Sequence, residues 1–343
     1  MDLLRLPYLP LIEVFKNMEF REKFLISFMS KRAKNTINIT CVKPLFLFEF
    51  SDSLGIHCEQ RPSKSEMTVS TEGDYLIGGE VMKLSLSSDA VLLRNQTVQN
   101  QLLLASYVLD TFRKSTVSVE FSDPTLPSSV LEFINMIHQR QLSIKSLDYK
   151  ITEEFVSEIL DKCTEVTDFI SIHSVFPTGF VYTPPRPFKA KEFRVVHRTN
   201  WFDMESFMSC RCIKVYFGGK SRRTEQTYNS FFSKWMGSDI PLQKMLLSSD
   251  KDLENQMIMN ALSNLGTKRR LEEGWIEIKR EDGSELYIIK SIIGIEIHKK
   301  QSYLEKLKEI VERKNMARKM RLIRRTLNNQ LARLRQFQNR QAN

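Results

Sequence analysis

Residues 5–34 read RLPYLPLIEVFKNMEFREKFLISFMSKRAK, with Leu6, Leu9, Leu11, Ile12, Val14 and Phe15 inside ten residues. A segment this apolar is buried or it aggregates. Pro10 suits the first turn of a helix. From there Leu11, Val14, Phe15 and Met18 recur at steps of three, one and three, the stripe of a short amphipathic helix. After Glu19 a second helix puts Phe20, Phe24, Leu25 and Phe28 on one side and Arg21, Glu22 and Lys23 towards water, ahead of the basic run Lys31 to Lys34. Two or three short helices fit here, with apolar residues on more than one side. Fewer than about 40 residues rarely make a self-sufficient core. Either the rest of the chain or a foreign subunit must cover what these helices leave open.

The chain has 343 residues, 41% of them hydrophobic, enough for a sizeable core and more than one structural unit. No apolar run approaches membrane-spanning length, and the charged residues Asp2, Arg5 and Glu13 interrupt any secretory leader. Five cysteines (Cys41, Cys58, Cys163, Cys210 and Cys212) without a CxxC pair suit reduced thiols in cytosol or nucleus. The formal charge of +10 is not spread evenly. From Lys299 onwards there are 14 Lys and Arg against 3 acidic residues, which leaves the first 298 residues at −1. Basicity therefore describes the C-terminal segment and not the surface of the main fold.

Residues 43–122 read as a mixed β/α entry to the body. LFLFEF at 45–50 and LGIHCE at 54–59 form a strand pair, residues 60–75 a polar loop, and Gln99 to Phe112 a helix. Beyond it, short apolar strands centre near Val119, Lys145, Ile170, Val195, Val215 and Met245, at steps of 26, 25, 25, 20 and 30 residues. Helical patterns at 128–140, 153–163 and 225–236 fill several gaps. Strand and helix alternating at this period predict parallel strands with right-handed crossovers, an irregular, leucine-rich-repeat-like β-α solenoid over 123–265 in an α/β (α+β) fold. Asp282-Gly283 between alternating residues predicts an antiparallel hairpin over 275–298, within a β ribbon at 270–300. From 301 to 343 a basic amphipathic helix follows, with Ser302 suited to cap it. Leu304, Leu307, Val311, Met320, Ile323, Leu327, Leu331 and Leu334 recur along it at threes and fours, with a break after Val311. It is read first as a solvated helix leaning on the body, with a coiled-coil or partner-binding helix and a nucleic-acid or nuclear-import segment as the alternatives; nucleic acid comes last because neither aromatic interleaving nor a base-reading motif accompanies the cations.

The N-terminal residues 1–42 resemble an F-box: Leu6-Pro7 at the opening, Leu11, Val14, Phe15 and Met18 in the first helix, Phe24, Leu25 and Phe28 in the second, then Ser30-Lys31-Arg32. The resemblance implies docking on the adaptor subunit of a cullin-RING (SCF) ubiquitin ligase through Leu6, Pro7, Leu11, Val14, Phe15, Met18, Leu25 and Phe28, with cullin reached through the adaptor. A second stretch, about 190–250, looks like the type-2 F-box-associated domain of the nematode-expanded F-box families, on Asn229, Phe232, Trp235, Gly237 and Leu242. From spacing alone, Phe232 and Trp235 share a helix face and belong to a core.

Chemistry is sparse. His57, His138, His173, His197 and His298 lie far apart, none at metal-ligand spacing, and five scattered cysteines cannot supply the eight ligands of a RING. GxSxG, P-loop, GxGxxG and HExxH motifs are missing. The expectation is a non-enzymatic, cofactor-free substrate-recognition subunit of an SCF-type ligase whose body holds an unknown protein substrate, with neither a membrane nor nucleic acid as its target. The alternative is an interaction scaffold for protein or RNA, uncoupled from ubiquitin transfer.

Overall fold

The computed structural model describes residues 6–40, 43–58, 70–151, 157–174, 176, 179–197, 199, 201–217, 223–249 and 252–341. Three short helices open the chain: α1 (Tyr8–Asn17), α2 (Phe20–Ser27) and α3 (Lys31–Thr40). Pro10 sits in the first turn of α1, where a missing N–H costs nothing. Glu19 caps α2 and its own N–H donates to the Glu22 carboxylate at 2.9 Å, while Ser30 accepts from Ala33 N at 3.1 Å to start α3.

The fifteen strands among the described residues join one mixed sheet. At its centre β1 (Leu45–Phe50), β6 (Thr116–Ser122), β7 (Ser143–Lys150), β8 (Phe169–Ile172), β9 (Glu192–His197), β10 (Cys212–Phe217) and β11 (Lys244–Ser249) run parallel, each beside the next. Antiparallel strands extend it on both sides: β2 (Leu54–Cys58), β5 (Ala90–Leu93), β4 (Glu80–Leu86) and β3 (Thr71–Ile77) beyond β1, and β15 (Gly294–His298), β14 (Glu285–Ser291), β13 (Trp275–Lys279) and β12 (Thr267–Arg270) beyond β11. Crossovers of one hand between strands that advance in one direction place their helices on one face. Those helices are α4 (Val98–Thr111), α5 (Pro127–Gln139), α6 (Ser157–Cys163), α7 (Glu225–Met236) and α8 (Asp252–Ser263). They bury Val117, Val119, Phe121, Ile170, Phe193, Ile213, Val215 and Met245 in a single hydrophobic cluster that runs without a break from Leu11 to Ile297.

Several expectations need correcting. Of the polar loop over 60–75, residues 71–75 lie in strand β3, and β4 and β5 complete a meander. β3 lies at an edge with mostly exposed side chains, so alternation is faint there. Its turn uses Gly78 and Gly79 at φ +60° and +93°, a glycine pair suited to a tight hairpin. Between β8 and β9, where no helix is predicted, the described residues form none, and Phe176 and Phe188 pack there against Trp201 and Phe193. The hairpin at Asp282-Gly283 is present, but the ribbon has four strands and is continuous with the main sheet, because β15 pairs with β11. Gly294 makes that seam possible: at φ +143° a Cβ there would lie 2.4 Å from the Leu247 carbonyl oxygen. The last helix, α9 (Lys300–Gln341), begins two residues before Ser302, whose hydroxyl bonds His298 Nδ1 at 3.0 Å instead of capping it.

Candidate functional site: the N-terminal helical face

One side of the N-terminal helices is spoken for by the body. Phe20 meets Phe46 and Phe112 edge-on and tilted at 5.4 and 5.7 Å, and Phe24 meets Tyr107 edge-on at 6.0 Å. Phe28 stacks on Tyr107 at 4.8 Å, nearly parallel, and lies 5.4 Å from Tyr75. Offset rings at these separations add about 0.5–1.5 kcal/mol per pair beyond their burial. A hydrogen-bond chain fixes the register of this contact. Ser27 Oγ donates to the Phe24 carbonyl at 2.5 Å, which leaves it to accept from the Tyr107 hydroxyl at 2.8 Å. Over the same ring Lys34 Nζ stands 4.2 Å from the centroid. Burial, with Arg113 and Arg140 nearby, pulls the Lys34 pKa down against the opposing pull of Asp110. Arg21 N reaches the Ser88 carbonyl at 3.1 Å, tying α2 to the meander.

The residues expected to meet an adaptor divide into three groups. Leu11 and Phe15 are buried inside this chain, and Phe15 shows no surface at all. Phe28 is half-buried in the Tyr107 stack, so its ring serves the body. Leu6, Val14, Met18 and Leu25 are part-covered, while Pro7, at the N-cap of α1, is exposed. What remains open are apolar residues outside that set: Leu9 and Met29 are each 74% exposed and Ile39 is 56% exposed. Leu9 stands about 200° around α1 from Leu11 at 100° per residue, opposite the core stripe. Apolar residues on a helix face that the core does not use were the available signal, and the core stripe masks it. Around α1–α3, Pro7, Leu9, Met29 and Ile39 are thus left exposed, while Val14 lies about 60° from Leu11 and is part-covered, as is Leu25, which packs against the core.

Elsewhere the second face of the sheet carries polar side chains in register. Glu49, Glu120, Asp148, Ser171, Arg194 and Lys214 stand side by side across six strands, and buried Leu246 separates them from Glu296 on β15. Lys150 bridges Glu120 at 2.6 Å and Asp148 at 3.0 Å, and Lys214 holds Glu192 at 2.7 Å. Among the described residues, no group of His, Cys, Asp and Glu is arranged to hold a metal. Burial raises the thiol pKa of Cys210 to about 12 and of Cys212 to about 11, and pushes that of Cys163 higher still, so none of these is a thiolate nucleophile near neutral pH. Phe232 and Trp235 are fully buried, with Trp235 Nε1 donating to the Leu242 carbonyl at 2.8 Å. No described helix is long and apolar enough to cross a membrane.

At the β11–β15 seam a hydrogen bond from His298, reinforced by Lys244 and Lys306, holds the Glu296 carboxyl down at about 2. A carboxyl depressed on folding stabilises the fold above its unfolded value of about 4.3 and loses that effect as pH falls through the folded value. Unfolding midpoints in urea should therefore fall between about pH 4.3 and pH 2, and Glu296→Gln should flatten that part of the profile. An unchanged profile in the variant would place the acid sensitivity elsewhere.

Comparison with known families places an F-box domain at residues 3–44. No curated protein and no solved structure matches the chain. The F-box match spans α1, α2 and α3, the unit that leaves Leu9, Met29 and Ile39 exposed.

Proposed function

We propose that this chain is the substrate-recognition subunit of an SCF-type ubiquitin ligase, taking the adaptor, and through it cullin, on the uncovered side of α1–α3. The observation that carries the reading is the one-sided packing of the matched F-box: Phe20, Phe24 and Phe28 face the body, while Leu9, Met29 and Ile39 face solvent. Such rigid coupling suits a receptor that must hold a substrate at a fixed distance from a ligase core, because the linking element is a packed interface and not a hinge. The open, polar face of the sheet is the surface proposed for a protein substrate, with its crossed rows of carboxylates and ammonium groups supplying recognition. Its parallel strands, crossing over in sequence, support the leucine-rich-repeat-like reading of 123–265, and buried Phe232 and Trp235 support the type-2 F-box-associated reading of about 190–250. The chain itself performs no transfer in this reading. Cytosol or nucleus is its proposed compartment, supported by the free thiols of Cys58, Cys163, Cys210 and Cys212. Adaptor and cullin should co-purify with the tagged full-length chain. Recovery of the chain without either one would end this reading.

A further inference from the structure

α9 has 42 residues, about 63 Å at 1.5 Å per residue. Its first turns are well seated. Tyr303 stacks on Tyr287 at 4.0 Å with the rings 4° from parallel and meets Trp275 edge-on at 4.9 Å, while Arg211 Nη2 donates to both carboxylate oxygens of Glu305 at 3.0 and 2.8 Å. Lys314 pairs with Glu273, and from Asn315 to Asn328 every described side chain is exposed. The seated part anchors the helix, and the stretch from Asn315 to Asn328 continues it with no side chain buried against the body.

The exposed part is patterned. Met316, Met320, Ile323 and Leu327, each more than half exposed, follow at steps of four, three and four and fall within an arc of about 60° at 100° per residue. So narrow a stripe is the seam of a coiled coil, and the sequence keeps the beat with Leu331 and Leu334. Leu322, also exposed, lies roughly 100° from the nearest seam residue and stands apart from it. Beside the seam lie Arg313, Lys319 and Arg324. From Arg313 to the end of the chain there are ten Lys and Arg and no Asp or Glu.

We infer that the free part of α9 is one half of a heterotypic coiled coil whose partner is an acidic amphipathic helix of another protein. Charge decides the occupant. A second copy of α9 would align cation against cation along both flanks in either orientation, with no carboxylate to pair. An anionic membrane surface would attract the cations, but an interfacial helix buries a broad apolar face with bulky anchors, and an arc of about 60° offers little to bury. Nucleic acid would use the cations and leave the Met–Ile–Leu seam in water. A helix with apolar seam residues and Glu along its flanks satisfies both features at once. This surface lies at the other end of the chain from the F-box and does not rest on the ligase reading.

The test uses the full-length chain and a fluorescent synthetic peptide of roughly four heptads, Leu at both seam positions and Glu at the flanking ones. Binding should rise with the seam intact and be lost with a Lys-flanked peptide. Met320→Gln together with Leu327→Gln should weaken it at least about tenfold, because the seam loses its apolar burial while every charge is kept. Met320→Leu with Leu327→Ile should restore it. The substituted positions are solvent-exposed, so an unchanged circular dichroism spectrum checks that the fold is intact. Equal binding by the Gln pair, equal binding of an unpatterned polyglutamate peptide, or binding only to vesicles of phosphatidylserine or to polyuridylate would each overturn the inference.

Discussion

Full-length chain carrying Leu9→Asp and Met29→Asp is expected to lose the SCF adaptor while unfolding at the wild-type midpoint. Both side chains are 74% exposed, so the fold gains little from them. Asp at position 9 falls in the first turn of α1, where a carboxylate is favoured by the helix dipole. Covering a Leu or Met side chain contributes roughly 1.5–3 kcal/mol, and placing carboxylates in an apolar contact adds a desolvation penalty. Removing two such contacts should weaken adaptor binding by about a hundredfold or more, at about 1.4 kcal/mol for each factor of ten. Phe15 is a poor site for the same experiment. It is fully buried, and a charge there would unfold the helices and remove adaptor binding for a trivial reason. Undiminished capture by the Leu9/Met29 variant would show that the adaptor, if bound, uses another face.

The largest stability effect is expected from Phe24→Ala. Phe24 has no exposed surface and meets Phe20, Phe28 and Tyr107 at ring separations of 5.9, 5.0 and 6.0 Å. Truncating a buried Phe costs about 3–5 kcal/mol, because the cavity relaxes only in part. The cost should appear as a fall in global stability, since one continuous core joins these helices to the sheet. Denaturation in urea measures it, with the slope of the transition held close to the wild-type value. A cost below about 1 kcal/mol would mean that α2 is not packed on α4 as described, and a reduced slope would mean that the helices come away before the body unfolds.

Much of the architecture could be read from local pattern. The parallel strands are buried on their helix-covered face and announce themselves by apolar residues at alternate positions, and Asp282-Gly283 marks its turn by chemistry alone. The β3–β5 meander was hidden because an edge strand such as Thr71–Ile77 buries little and alternates weakly. The candidate site was legible only in outline. Spacing separates the core stripe of Leu11 and Phe15 from the rest of α1, but it cannot say that Phe28 is taken by Tyr107, which lies 79 residues further along the chain. Which apolar residues stay uncovered is a property of tertiary packing, so Leu9, Met29 and Ile39 emerge only once the body is in place. The same holds for α9, whose periodicity was visible while the point at which it leaves the sheet was not.

The central claim is that the F-box helices give one side to their own body and the other to a foreign subunit. Amide hydrogen exchange of the full-length chain, with and without purified SCF adaptor, tests it most directly. Slowed exchange confined to α1, the Met29 turn and α3, with α4 around Tyr107 unchanged, is the predicted result. No change in those helices at saturating adaptor, or protection appearing only on the sheet, would contradict it.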